Sequence, residues 1–156
     1  MRRTILTYPD PFLATKAAPV SRVNDAIRNL VRDLFETMYE ANGIGLAATQ
    51  VGVGKRVIVV DISPVEEGAP PVALVNPEIV ERNGCVRGPE GCLSVPGVEG
   101  EVDRAETIRV KGLDGKGAPV SISAGGLLAR ALQHEIDHLD GVLFIDRLAA
   151  PAASSQ

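Results

Sequence analysis

The sequence predicts an α+β fold from three observations: helix-period segments near both ends of the chain, strand-like segments between them, and turn signals between those strands. The chain has 156 residues, of which 45% are hydrophobic and 23% are charged, so it is large enough to bury a core. It shows no internal repeat and no linker. We therefore expect a single domain over residues 1–148 and a flexible C-terminal tail over residues 149–156.

The first element is a long N-terminal helix, predicted over residues 25–41. Asn24 can cap its first turn, and Asn42 followed by Gly43 provides a stop. Apolar side chains recur at steps of three and four residues, at Ile27, Leu30, Val31, Leu34 and Met38. This spacing gives the helix one apolar face for packing against a core.

Strands are predicted in the middle of the chain. Residues 57–62 form an almost continuous apolar run, which is typical of a strand buried on both faces. Residues 74–81, 107–111 and 120–123 alternate or nearly alternate between apolar and polar side chains, with turn signals between them. We expect these strands to pair antiparallel.

A second helix is predicted over residues 127–139, and it carries His134 and His138, the only two histidines of the chain. Two residues four apart differ by about 40° around a helix axis and by about 6 Å along it, so both imidazoles can reach one divalent ion. Glu135 lies beside them. An H-E-x-x-H segment on a helix is typical of metal hydrolases.

Any third protein ligand must be a cysteine or a carboxylate, because there is no third histidine. The residues after His138 contain no glutamate, which places the third ligand upstream. Cys92 lies in residues 89–96, where glycine and prolines predict a fixed, exposed turn open to a metal. Cys85 is the alternative, and both cysteines could instead be small buried apolar groups. The residues alone leave this choice open.

Composition excludes several functional classes. A net charge of −4, no basic run and 3% aromatic residues give no footprint of a nucleic-acid site. There is no long apolar run, and the polar start of the chain does not fit a signal peptide, so we expect a cytoplasmic protein without a membrane segment. The glycine-rich residues 43–48 and 52–55 lack the context or spacing of nucleotide-binding loops.

Small side chains in residues 43–48 favour close approach of another backbone. An extended peptide could pair with this segment as an added strand. Gln50, just after it, could donate an amide hydrogen bond to a developing oxyanion, or could simply be a polar surface or capping residue.

Three segments together resemble the signature motifs of bacterial peptide deformylases, in the family's order: GIGLAATQ at 43–50, EGCLS at 90–94 and QHEIDH at 133–138. The resemblance extends from Tyr8 to about Leu148. It implies an α+β fold in which antiparallel strands surround a central, C-terminal, metal-bearing helix. It also implies that residues 1–148 form one catalytic domain.

Position by position, the resemblance selects Cys92 over Cys85 as the third metal ligand beside His134 and His138. It implies that Glu135 is the general acid/base and that Gln50 and the Leu93 amide are oxyanion donors. The remaining matched positions imply substrate-binding residues, Ile44, Gly45, Gly91, Leu127, Arg130 and Ala131, and a structural pair, Glu90 and Arg104. The implied cofactor is one divalent ion per chain, Fe(II), with Zn, Ni or Co able to occupy the same site.

The implied activity is removal of the N-terminal formyl group from N-formylmethionyl nascent polypeptides, with release of formate. The implied setting is a cytoplasmic monomer in transient proximity to the ribosome. A metallo-endopeptidase would use the same H-E-x-x-H chemistry but would cleave internal peptide bonds. A catalytically modified peptide-binding relative would be expected to lack a ligand or the catalytic carboxylate, and none is missing here. Residues 97–103 are unusually rich in Gly and Glu, so we expect distinctive contacts there to later residues of the peptide.

Overall fold

The computed structural model describes residues 1–149, so all but the first residue of the predicted tail lie outside the described part. Two α-helices, seven strands and three short 3-10 helices lie in it. The α-helices are α1 (Asp25–Glu40) and α2 (Gly126–Leu139), and the 3-10 helices are Pro11–Ala14, Ala48–Val51 and Phe144–Arg147. The strands are β1 (Gly45–Ala47), β2 (Val57–Val60), β3 (Val72–Asn83), β4 (Val86–Cys92), β5 (Val95–Arg104), β6 (Thr107–Leu113) and β7 (Pro119–Gly125).

The strands form two antiparallel sheets. Five of them pair in the order β1-β2-β3-β6-β7, and β4 pairs with β5 as a separate two-stranded hairpin. The predicted α+β class with antiparallel strands is therefore confirmed. In residues 1–149, neither helix combines the length and the apolar character needed to cross a membrane.

Strand β2, which lies between β1 and β3, explains why the two helices lie on opposite faces of the larger sheet. All four residues of β2 are fully buried, as expected for a strand covered on both sides. Ile58 packs in one hydrophobic cluster with Leu132 of α2, whereas the next residue, Val59, packs in a second cluster with Leu34 of α1. Successive side chains of a strand point to opposite faces, so a continuous apolar run serves both helices.

The segment around Cys92 differs from its prediction. Residues 89–96 were predicted as an exposed turn, but β4 extends through Cys92 and β5 begins at Val95, so only Leu93 and Ser94 connect the strands. A proline is compatible with a strand that has a free outer edge, and each strand of a two-stranded hairpin has one. Cys92 is half-buried and Cys85 is exposed, so the possibility that both cysteines are buried is wrong.

Candidate metal centre and cleft

The hairpin and the second helix bring three metal-ligating side chains together. Cys92 ends β4, while His134 and His138 lie one turn apart on α2. The Cys92 Sγ lies 3.3 Å from His138 Nε2, which lies 3.2 Å from His134 Nε2. All three ligand atoms lie within 4.8 Å of one another. Cys85 is not part of this group.

These distances fit one shared ion. Nitrogen and sulfur donors placed about 2.0 to 2.3 Å from a tetrahedral ion are separated from one another by roughly 3.3 to 3.7 Å. One thiolate and two imidazoles suit a first-row transition ion rather than magnesium or calcium, which prefer oxygen ligands. Three protein ligands leave a coordination position free, as in catalytic sites.

Glu90 orients the candidate ligand His134. Its Oε1 lies 2.9 Å from His134 Nδ1, and Arg104 donates from Nε and Nη2 to both carboxylate oxygens at 2.9 Å each. Burial alone would raise the pKa of Glu90, but the hydrogen bonds with Arg104 and His134 hold that pKa well below its ordinary value. The carboxylate stays ionised and accepts the Nδ1–H of His134, a tautomer assigned from this network, so Nε2 faces the other ligands.

The two histidines differ in their electrostatics. Burial lowers the pKa of His138 well below its ordinary value, which keeps this imidazole neutral and able to ligate. Burial acts in the same direction on His134, but hydrogen bonds with Cys92 and Glu90 outweigh it and raise the pKa of His134 to about 10.

Glu135 is a buried carboxylate next to the candidate ligand His134 in α2. Burial raises its pKa to about 7, with the positive charges of His134 and Arg104 opposing that shift. Its Oε1 has no hydrogen-bond partner among residues 1–149. A Cβ atom on Gly45 would lie only 2.5 Å from the other oxygen, Oε2, so glycine at 45 makes room for this carboxylate. A carboxyl group with a pKa near neutrality suits a general acid/base.

The Gln50 side chain is held in a fixed orientation. Its Oε1 accepts the Ala47 amide at 2.9 Å, and its Nε2 donates to Ser94 Oγ at 3.0 Å and lies 3.6 Å from Cys92 Sγ. Ser94 is fully buried, and its own amide donates to Cys92 Sγ at 3.4 Å. Sequence reasoning assigned Ser94 no role. Its position two residues after the predicted ligand was the available signal.

These groups border one cleft of about 570 Å³, a size typical of ligand sites. The structure brings all six predicted substrate-binding residues into its wall: Ile44, Gly45, Gly91, Leu127, Arg130 and Ala131. Gln50, Leu93, Glu135 and two of the three candidate ligands, Cys92 and His134, also line it. His138 and Arg104 are not part of the lining. His138 contacts His134, and Arg104 donates to Glu90, and both of these partners line the cleft.

Comparison with known proteins gives consistent likenesses. The family model described as Polypeptide deformylase matches residues 2–153. A peptide deformylase of Alkalilimnicola ehrlichii is 58% identical over 93% of this chain and 81% of that protein. A crystal structure of a peptide deformylase from Legionella pneumophila has a TM-score of 0.90 and 48% identity, covering 96% of this chain and 87% of that one. The Ehrlichia chaffeensis peptide deformylase in complex with actinonin has a TM-score of 0.91 and 44% identity, covering 95% and 89% of the two chains.

Proposed function

The chain belongs to the peptide deformylase family of metal-dependent hydrolases, which remove the formyl group from nascent peptides, and from this premise we propose how its residues perform the reaction. One observation carries the proposal: Cys92, His134 and His138 converge on one point, with Glu135 beside them at the wall of a single cleft. In this proposal α2 is the central metal-bearing helix, and residues 1–148 are one catalytic domain.

Cys92, His134 and His138 are the proposed ligands of one divalent ion. When bound, the ion polarises the formyl carbonyl and lowers the pKa of the attacking water. A thiolate and two imidazoles suit a softer divalent metal, and Zn, Ni or Co fit this donor set. Fe(II) is the proposed physiological ion on the strength of the family resemblance. Metal analysis of anaerobically purified protein tests this identity.

Glu135 is the proposed proton carrier. Its carboxylate takes the proton of the attacking water and delivers it to the nitrogen of the departing methionine, which leaves formate and a free amino terminus. A pKa of about 7 supports both halves of this role, because the group can accept and release a proton near neutral pH. Its Oε1 has no competing hydrogen bond within residues 1–149.

Gln50 and the backbone amide of Leu93 are the proposed oxyanion donors. The amide group of Gln50 is oriented in advance by Ala47 and Ser94, so little reorganisation accompanies its hydrogen bond to the developing charge. Both residues line the cleft beside Cys92.

The substrate is proposed to bind as an extended strand. β1 is an edge strand of the larger sheet, so one side of its backbone is free to pair with a peptide. Ile44, Gly45 and Gly91 would contact the peptide backbone, and Leu127 and Ala131 the methionine side chain. The likeness to the actinonin-bound relative leads us to propose that actinonin binds in the same cleft. We further propose a cytoplasmic monomer that meets its substrates near the ribosome.

Formate release from a formylmethionyl tripeptide by the metal-loaded protein tests this function. An acetylmethionyl tripeptide and a longer peptide with internal bonds serve as controls. We expect formate release only from the formylated peptide, inhibition by actinonin, and loss of activity on metal chelation. Cleavage of internal bonds instead would favour the endopeptidase alternative.

A further inference from the structure

The polar end of Arg130 is engaged by protein groups, although the residue borders the cleft. Its Nη1 donates to Glu90 Oε2 at 2.7 Å and to the Val102 carbonyl at 3.0 Å, and its Nη2 donates to the Val86 carbonyl at 2.7 Å. The side chain is only 14% exposed. These three hydrogen bonds hold the guanidinium against the protein, and the stem of the side chain borders the cleft.

These contacts connect the two parts of the molecule that supply the metal ligands. Arg130 belongs to α2, which carries both histidines, while Val86 and Glu90 lie in β4 and Val102 lies in β5 of the hairpin that ends at Cys92. The hairpin and α2 belong to separate layers, with no backbone hydrogen bonds of a shared sheet to hold them in register. Side-chain contacts between α2 and the hairpin contribute to that alignment, beside the backbone hydrogen bond from Ala149 to Glu101 of β5.

Glu90 receives donors on every side. Its Oε1 faces Arg104 Nη2 and His134 Nδ1, and its Oε2 accepts from Arg104 Nε and Arg130 Nη1. The Arg104 guanidinium contacts both carboxylate oxygens from the β5 side. Arg130 adds a second guanidinium from the helix, and two guanidinium groups fix the carboxylate plane more firmly than one.

The neighbouring strand leaves space for this guanidinium. A Cβ atom at Gly88 would lie 3.2 Å from Arg130 Cζ and Nη2 and 3.3 Å from Nε, closer than is comfortable for side-chain contacts. The absence of a side chain at Gly88 therefore lets the guanidinium lie against β4 and reach Val86 and Glu90.

We propose that Arg130 is a positioning residue for the metal centre: it holds Glu90, and through Glu90 the ligand His134, in the geometry that retains the ion. This role rests on the proposed ligand set and adds to the place of Arg130 in the cleft wall. Both arginines of the cluster donate hydrogen bonds to Glu90.

The test compares Arg130→Met, which keeps an unbranched apolar stem but no donors, with Arg130→Lys, which keeps a charge. Arg87→Met is the matched control, since Arg87 lies in the same hairpin but forms an exposed pair with Asp103. The rate of ion release to a chromogenic chelator is measured, together with the visible spectrum of the cobalt-loaded protein. We expect Arg130→Met to release the ion about 10- to 100-fold faster with a shifted cobalt spectrum, Arg130→Lys to recover part of the loss, and Arg87→Met to match the wild type.

Kinetics separate positioning from substrate contact. At saturating metal, we expect Arg130→Met to lower kcat while KM for a formylmethionyl peptide stays near the wild-type value. A wild-type ion-release rate in Arg130→Met, or a change confined to KM, would overturn the proposal. If Arg130→Met does not fold, the ion-release rate of Arg130→Lys decides.

A double-variant cycle shows whether Arg130 acts through Glu90. Adding Arg130→Met to Glu90→Gln should accelerate ion release by much less than Arg130→Met does alone, whereas additive effects would contradict this route. Wild-type formate release, measured in the same preparations, reports separately on the proposed function.

Discussion

Glu135 is expected to move protons without holding the ion. Glu135→Gln keeps the shape of the side chain but cannot take a proton from water, so we expect bound metal to remain near one per chain while turnover falls by about 10²- to 10⁴-fold. Metal analysis and formate release on the same sample check both parts. Full activity, or loss of metal from a folded protein, would contradict the role.

The two cysteines provide an internal comparison. Cys92 Sγ lies among the histidine nitrogens, whereas Cys85 is exposed in the connection between β3 and β4. Cys92→Ala should therefore empty or badly weaken the metal site, and Cys85→Ala should leave metal content and formate release near wild type. Metal content that follows Cys85 would show that the ligand assignment is wrong.

At the scale of single residues, sequence reasoning works where chemistry is local. The helical spacing of His134 and His138 was sufficient to predict that their imidazoles lie close together, and their Nε2 atoms are 3.2 Å apart. The choice of Cys92 needed family resemblance, because residues 92 and 134 meet only through the packing of the hairpin against α2. The contact between Glu90 and Arg130 is equally distant in sequence, and no periodicity could have indicated it.

At the scale of elements, the apolar patterns predicted the helices and strands that have a buried face. The cap at Asn24, whose side chain accepts from the Ile27 amide, places the start of α1, and the run at residues 57–62 contains the doubly covered strand β2. The hairpin of β4 and β5 was not predicted as strands. It is rich in Gly, Pro and charged residues, which are depleted in strands, so its sequence carries little strand signal.

The junction of β1 with α2 gives a prediction at this scale. Gly45→Ala would place a Cβ atom against the Glu135 carboxylate, so we expect the carboxylate to shift and kcat to fall by up to about 10²-fold with the fold and metal content retained. Gly54→Ala is the control, since its Cβ would meet only Phe12 at an ordinary 3.8 Å. Unchanged kcat in Gly45→Ala would show that Glu135 tolerates displacement.

At the scale of the whole molecule, we expect the charge around the cleft to affect which substrate peptides are preferred. The chain carries a net charge of −4, and among the cleft-lining groups Glu90 and Arg130 are paired with each other. Glu99 of β5 also lines the cleft, is exposed, and has no ion-pair partner within residues 1–149. A peptide with Lys or Arg shortly after its methionine would bring a positive charge close to Glu99.

We therefore expect kcat/KM for formyl-Met-Ala-Lys to exceed that for formyl-Met-Ala-Glu by about two- to fivefold, the size of an exposed ion pair. Glu99→Gln should remove most of this preference. Glu101→Gln is the matched control, because it makes the same change of net charge two residues away in β5 but outside the cleft lining. High salt should also weaken the preference, since the pair is exposed to solvent. If both variants reduced the ratio equally, net charge rather than Glu99 would be responsible, and no difference between the peptides in the wild type would exclude charge selection altogether.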